Sequence, residues 1–224
     1  MSALLLALAV GCAVDDARDH ALGSSAPGRP GTLGQTLGGP PDASAASADV
    51  GPLYDPSEPG APQAVVLEAP YAGGHEFMVA KDEPATSGAH GPYYVAFDVG
   101  TTQEVVRAAL PGTVIAVNDI YSEGGPAPEL LGATNTVVVE HEGGVRTEYL
   151  HLRTLSAKVV SGQKVIAGHA LAVAGGTGYV GGQRIGLRAT RGGMPAPICF
   201  NTGHPTCDFA QPGDVIESAN YYMP

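Results

Sequence analysis

Residues 135–152 read NTVVVEHEGGVRTEYLHL. Two short runs rich in β-branched residues, Asn135–Glu142 and Val145–Leu152, flank Gly143 and Gly144. Branching at Cβ stiffens χ1 and suits a pleated surface, and glycine punctuates such runs, so this stretch predicts two strands. Strand side chains alternate between faces, so Tyr149 and His151, two apart, are expected to face the same side. The same signature recurs outward in both directions: AVVLEA (64–69), EFMVA (76–80), YYVAFDVG (93–100), GTVIAVND (112–119), KVIAGHALAVA (164–174) and RIGLRA (184–189). No segment sustains a 3.6-residue apolar period. Thr102–Leu110 leaves helix and strand open, and the long excursion 119–133, DIYSEGGPAPELLGA, is expected as a flap or one helical turn. The expectation is an all-β domain over residues 64–224, a sandwich or an open barrel.

Upstream of Ala64 the composition changes. Residues 21–63 are dominated by Gly, Pro, Ala and Ser without apolar periodicity. Such a segment buries too little surface to offset its ordering entropy and reads as a disordered, flexible tether. Residues 1–20 open with MSALLLALAVGC, whose apolar run is too short for a membrane-spanning helix, which needs about 20 apolar residues. It fits the apolar part of an export signal. The ending AVGC resembles a bacterial lipoprotein lipobox, although no basic residue precedes it, and makes Cys12 the expected lipidation site. Two further cysteines, Cys199 and Cys207, are then expected to form a disulfide in an oxidising compartment. Closing so small a loop contributes about 2–3 kcal/mol in the chain-entropy account. With 22 acidic against 11 basic residues, net charge −11, and no basic cluster, a nucleic-acid partner is not expected.

The stretch GYVGGQRIGLRAT (178–190) poses a chemical question. A strand here puts Ile185, Leu187 and Ala189 on one face, and Arg184, Gly186 and Arg188 on the other. The second face holds a residue with no side chain between two cations.

Three motifs follow one another in order: FDVGTTQEVVRAALPGTVIAVND (97–119), the strand pair ending in Tyr-Leu-His-Leu (149–152), and VVSGQKVIAGHALAVAGGTGYVGG (159–182). Over Gly88 to Ala189 this order resembles the lysostaphin/LytM-type zinc metallopeptidases (M23), which share a duplicated hybrid motif fold and cleave peptide cross-links of bacterial peptidoglycan. The resemblance implies a zinc held by a His and an Asp of a first motif and by the second His of a terminal His-x-His. Asp98 matches the ligand Asp. The ligand His usually stands four residues earlier, which here is Tyr94; members with a longer form place it further upstream, which makes His90 the match. His151 matches the catalytic His of Tyr-x-His, which polarises the attacking water. The terminal motif falls on Arg184, Ile185 and Gly186, so the third ligand position offers no donor. The resemblance therefore implies zinc bound weakly or not at all. Tyr149, Arg184 and Arg188 remain to bind substrate, the two arginines through a peptide carboxylate. His141 and His169 stand at places that are not ligands in the family and are expected on the surface.

The function this implies is an exported, lipid-anchored envelope protein facing the periplasm or outer membrane. Its domain would be catalytically inactive and would bind cell-wall peptide or regulate a cell-wall hydrolase such as an amidase. Two alternatives stand beside it: an active zinc endopeptidase with an atypical third ligand, His204 being the candidate, and a non-catalytic protein–protein interaction module of the envelope.

Overall fold

The computed structural model of the protein describes residues 59–203 and 206–222. Cys12, the lipobox, residues 21–58 of the expected tether and His204 lie outside the described residues.

The stretch 135–152 forms the hairpin at the middle of the large sheet. Strands Thr136–Glu140 and Val145–Leu150 pair antiparallel, with Val137 opposite Tyr149 and Val139 opposite Thr147. Gly143 and Gly144 both turn at φ 71°, a left-handed conformation that glycine adopts without penalty. The full order across this sheet is Val215–Glu217, Glu76–Val79, Val95–Asp98, Arg184–Arg191, Val145–Leu150, Thr136–Glu140, Gly112–Asn118 and Lys164–Val165. The strand Met194–Ala196 folds back on the end of Arg184–Arg191. The two outermost strands do not pair with each other, so the sheet is open rather than a closed barrel.

Three two-stranded pairs complete the all-β domain: Val65–Leu67 with Ile198–Phe200, Val105–Arg107 with Ala170–Val173, and Gly124–Gly125 with Gly178–Tyr179. The segment 102–110 that left helix and strand open thus contributes a strand. The excursion 119–133 contributes both a two-residue strand and one short 3₁₀ helix, Pro128–Ala133.

One face of the sheet carries the main core. Val137, Val139, Tyr149, Ile185 and Leu187 are buried there with Val106, Leu171 and Ala172 of the second layer. Burial of such side chains stabilises by about 1.5–3 kcal/mol each. At one end Tyr71, Phe97 and Phe200 meet edge to face, with centroids 5.1 and 5.4 Å apart. Cys199 and Cys207 are bridged there, tying the C-terminal loop to the strand beside Val65–Leu67.

A polar thread crosses this core. Tyr149 Oη accepts the Ala109 N–H at 2.8 Å and shares a hydrogen bond with Thr147 Oγ1 at 3.2 Å. Thr147 in turn bonds His141 Nε2 at 2.8 Å, and His141 Nδ1–H donates to Pro111 O at 2.8 Å. His141 is therefore buried rather than on the surface. Gly112 makes room for it, since a Cβ there would stand 2.7 Å from its Nδ1.

Removing one member of a satisfied buried network leaves the others without partners. Tyr149→Phe is expected to destabilise the protein by about 1–3 kcal/mol, read as a lowered urea midpoint at unchanged slope. A midpoint equal to that of the unaltered protein would show that the thread contributes nothing to stability.

Candidate functional site

The other face of the central strand Arg184–Arg191 carries the candidate site. Gly186 lies between Ala96 on one neighbouring strand and Leu150 on the other. Tyr94, just before the strand Val95–Asp98, shares the face of Ala96 by alternation. His151 reaches this face differently. The strand ends at Leu150, and His151 adopts φ 63°, which swings its side chain away from the core. A left-handed non-glycine residue costs roughly 1–2 kcal/mol. Its hydrogen bonds offset that cost: Nδ1–H donates to Thr177 O at 2.8 Å, and Nε2 accepts the Tyr94 O–H at 2.7 Å.

The glycine makes the contact possible. A Cβ on Gly186 would stand 2.8 Å from Tyr94 Oη and 2.9 Å from His151 Cδ2. The phenol and the imidazole meet in space that any side chain at 186 would claim. His90 joins them, its ring 4.5 Å from that of Tyr94 and 4.9 Å from that of His151. His90 Nε2–H donates to Tyr179 O at 2.9 Å.

Burial sets the protonation states. It pushes His151 down to about 3, with the bond to Thr177 O opposing and the charges of His90 and Arg184 adding to the shift. His90 is also lowered, by burial first and by Arg188, against its bond to Tyr179 O. The Tyr94 phenol is raised by burial, with the Arg184 charge opposing. At neutral pH all three are uncharged.

The two cations are engaged. Arg184 is only 5% exposed, and its Nη1 donates to Asp82 Oδ1 at 2.6 Å. Arg188 Nε donates to Glu148 Oε2 at 2.6 Å, and Nη1 to His90 O at 3.1 Å. Asp98 stands across from Arg184 in the ladder but is exposed, and its Oδ1 accepts the Gly100 N–H at 3.1 Å, closing its own turn.

Of the expected site residues, His90 and His151 are brought together. Tyr149 is not with them: it is 0% exposed in the main core on the opposite face, because His151 leaves the strand before alternation can apply. Tyr149 therefore does not line a groove. Arg184 and Arg188 are not free cations awaiting a carboxylate, since Asp82 and Glu148 hold them. The usual family spacing falls on Tyr94 and the longer form on His90, the expected match; Tyr94 is the one seated beside Gly186. Asp82 and the carbonyls of Thr177 and Tyr179 carry no sequence signal of this role.

A catalytic zinc needs three protein donors and one open position. Among the described residues no group of three His, Cys, Asp or Glu is placed to hold a metal ion. The His151 Nε2 lone pair is taken by a phenol proton, and the space over Gly186 is filled. The described residues do not fit that metal.

Residues 93–196 match the model of peptidase family M23. Over that span the β domain resembles this family, a zinc-dependent group of LytM-type peptidases. Among solved structures it is similar to a zinc-containing peptidase from Vibrio cholerae, at 22% identity and TM-score 0.40 over 57% of this chain and 39% of that one. It is also similar to lysostaphin from Staphylococcus simulans, at 20% identity and TM-score 0.36 over 55% and 43%. A deep-sea M23 metalloprotease, pseudoalterin, aligns at 12% identity and TM-score 0.44 over 72% of this chain and 100% of that one. The chain thus spans less than half of the Vibrio and lysostaphin chains. No curated protein matches it.

The depressed pKa of His151 fixes a pH dependence. Its folded value, about 3, lies below the ordinary 6.5, so between these values the unfolded chain binds more protons. Stability is therefore fully present above pH 6.5 and is lost as pH falls toward 3, at up to about 1.4 kcal/mol per pH unit from this one group. Urea unfolding at a series of pH values should show this slope, and His151→Gln should lessen it, leaving the part that the depressed His90 and His141 contribute. An equally steep slope in His151→Gln would assign it to other groups.

Proposed function

We propose that this domain is an envelope-anchored M23-like domain without peptidase activity, which binds cell-wall peptide or regulates a cell-wall hydrolase. The observation that carries this is the hydrogen bond between Tyr94 Oη and His151 Nε2 across Gly186. A general base works best with a pKa near the operating pH. An imidazole pushed down to about 3, with its lone pair already accepting a proton donor, is far too weak. Losing such a group costs about 10²–10⁴-fold in rate, before any loss of the metal is counted. The domain keeps the family's frame while these groups are turned inward.

Export is supported by the Cys199–Cys207 bridge, since disulfides persist in oxidising compartments. Anchoring through Cys12 and the segment 21–63 completes the proposal: a folded domain held at a membrane surface on a long tether, able to reach the wall or a wall-bound enzyme.

Elemental analysis of the purified full chain is expected to find zinc well below one per chain, and cross-linked muropeptides should remain intact on incubation. Sacculi should nonetheless pull the protein down. Gly186→His alone should bind no zinc, because the new side chain needs the space of Tyr94. Joined with Tyr94→His and Arg184→His, it should raise zinc toward one per chain. One zinc per native chain together with muropeptide cleavage would overturn the proposal.

A further inference from the structure

The excursion 119–133 does more than connect two strands. Its Gly124–Gly125 pairs in parallel with Gly178–Tyr179: Gly178 N–H donates to Glu123 O and Val180 N–H to Gly125 O, both at 2.9 Å. Across each trans peptide the C=O and the following N–H point in opposite directions, even though Gly178 turns at φ 80°. Residues 178 and 180 therefore address the excursion, while the carbonyls of Thr177 and Tyr179 point the other way and accept from His151 and His90. One four-residue segment is bonded on one edge to the buried histidines and on the other to an extended peptide of the same chain.

That peptide is selected by shape. A Cβ on Gly124 would overlap Gly176 O and stand 2.9 Å from Thr177 Cα. Gly132, in the same excursion, has nothing within 4 Å of the place its Cβ would take. The requirement for glycine is thus local to the paired residue. The base of the excursion is fastened: Asn135 Nδ2 donates to Tyr121 O and Leu152 O at 2.8 and 3.1 Å, and Asn135 Oδ1 accepts the Tyr121 N–H at 2.9 Å. The 3₁₀ helix at the tip lies beside Gly178–Tyr179 but has no buried residue. A segment with few buried contacts and a small number of backbone bonds opens at low free-energy cost. Cavities lie on both flanks. One of about 390 Å³ is bordered by Ser122, Arg153 and Gln183, and one of about 230 Å³ by Leu131, Glu148 and Arg188.

We propose that Glu123–Gly125 is a built-in peptide ligand. It occupies the strand edge at residues 178–180 that a partner's extended peptide would take, and the groove receives such a peptide, with glycine at the position of Gly124, only when this strap lifts. The proposal deepens the peptide-holding function argued above and rests on it only for the identity of the partner.

The test uses the full chain with Gly124→Ala, in which the strap no longer fits its seat, and Gly132→Ala as the control in the same loop. The probes are N-acetyl-triglycine amide and N-acetyl-trialanine amide. Gly124→Ala is expected to speed hydrogen exchange at the Gly178 and Val180 amides at least about tenfold, the equivalent of about 1.4 kcal/mol. It should also gain triglycine binding, seen as shifts of those two amides, with trialanine at least about tenfold weaker. The unaltered protein and Gly132→Ala should keep both amides protected and bind neither probe at the same concentration. Should Gly124→Ala not fold, raising triglycine on the unaltered protein must expose residues 122–133 to protease while trialanine does not. Loosened amides without triglycine binding, equal binding of both probes, or unchanged exchange in Gly124→Ala would each overturn the proposal. So would an absence of protease exposure in the fallback experiment. A strap-opened protein that binds triglycine but is not pulled down by sacculi would refute the cell-wall reading and leave the strap standing.

Discussion

The hydrogen bond from the Tyr94 phenol to His151 exists because residue 186 has no side chain, and the rest of the face is arranged around it. It fixes His151 as the tautomer with its proton on Nδ1, which must then find an acceptor, and Thr177 O supplies one. That draws the segment 175–180 over the sheet, where Tyr179 O meets His90. Once three aromatic rings fill the centre, the flanking guanidinium groups have no room there. Arg184 turns to Asp82 and Arg188 to Glu148. A buried cation is tolerable only with its counter-charge in place, so the Arg184–Asp82 pair is a condition of the arrangement rather than an ornament of it.

The sheet carries a neutral polar network on each face, and the two are built alike. On the core side Tyr149, Thr147 and His141 run from Ala109 N to Pro111 O. On the site side Tyr94 and His151 run to Thr177 O. Each places a histidine where burial keeps it uncharged. Polar groups so buried are tolerated because their partners are present, and they specify which neighbours each strand must have. The difference lies in what covers them. The core network lies within the main hydrophobic cluster, whereas the site network is bonded to the segment 177–179, which pairs in turn with an excursion whose 3₁₀ helix has no buried residue.

An M23-like frame with its histidines turned inward keeps what the fold provides apart from the metal: a sheet face, an adjacent strand edge whose N–H groups are held by Glu123 O and Gly125 O, and two nearby cavities. Main-chain hydrogen bonding along a strand edge recognises peptides without any reactive group. A binding role therefore asks nothing of this site that its residues lack.

Local pattern in the sequence settled the strands. The β-branched runs around Gly143 and Gly144, the absence of a helical period and the glycine punctuation are short-range properties, and they sufficed for an all-β domain and for the order of motifs that carries the family resemblance. The family resemblance singled out Asp98, His90 and Gly186, and cysteine counting paired Cys199 with Cys207. Alternation failed at His151, because a single left-handed residue just past a strand end reverses the face and no periodicity announces it. The partners of Arg184 and Arg188 were equally out of reach. Asp82 is 102 residues from Arg184 and Glu148 is 40 from Arg188, and only the folded chain brings them within hydrogen-bond distance. Whether a histidine is a ligand, a base or a buried spacer depends on its lone pairs and its solvent, and both are decided by residues far away in sequence.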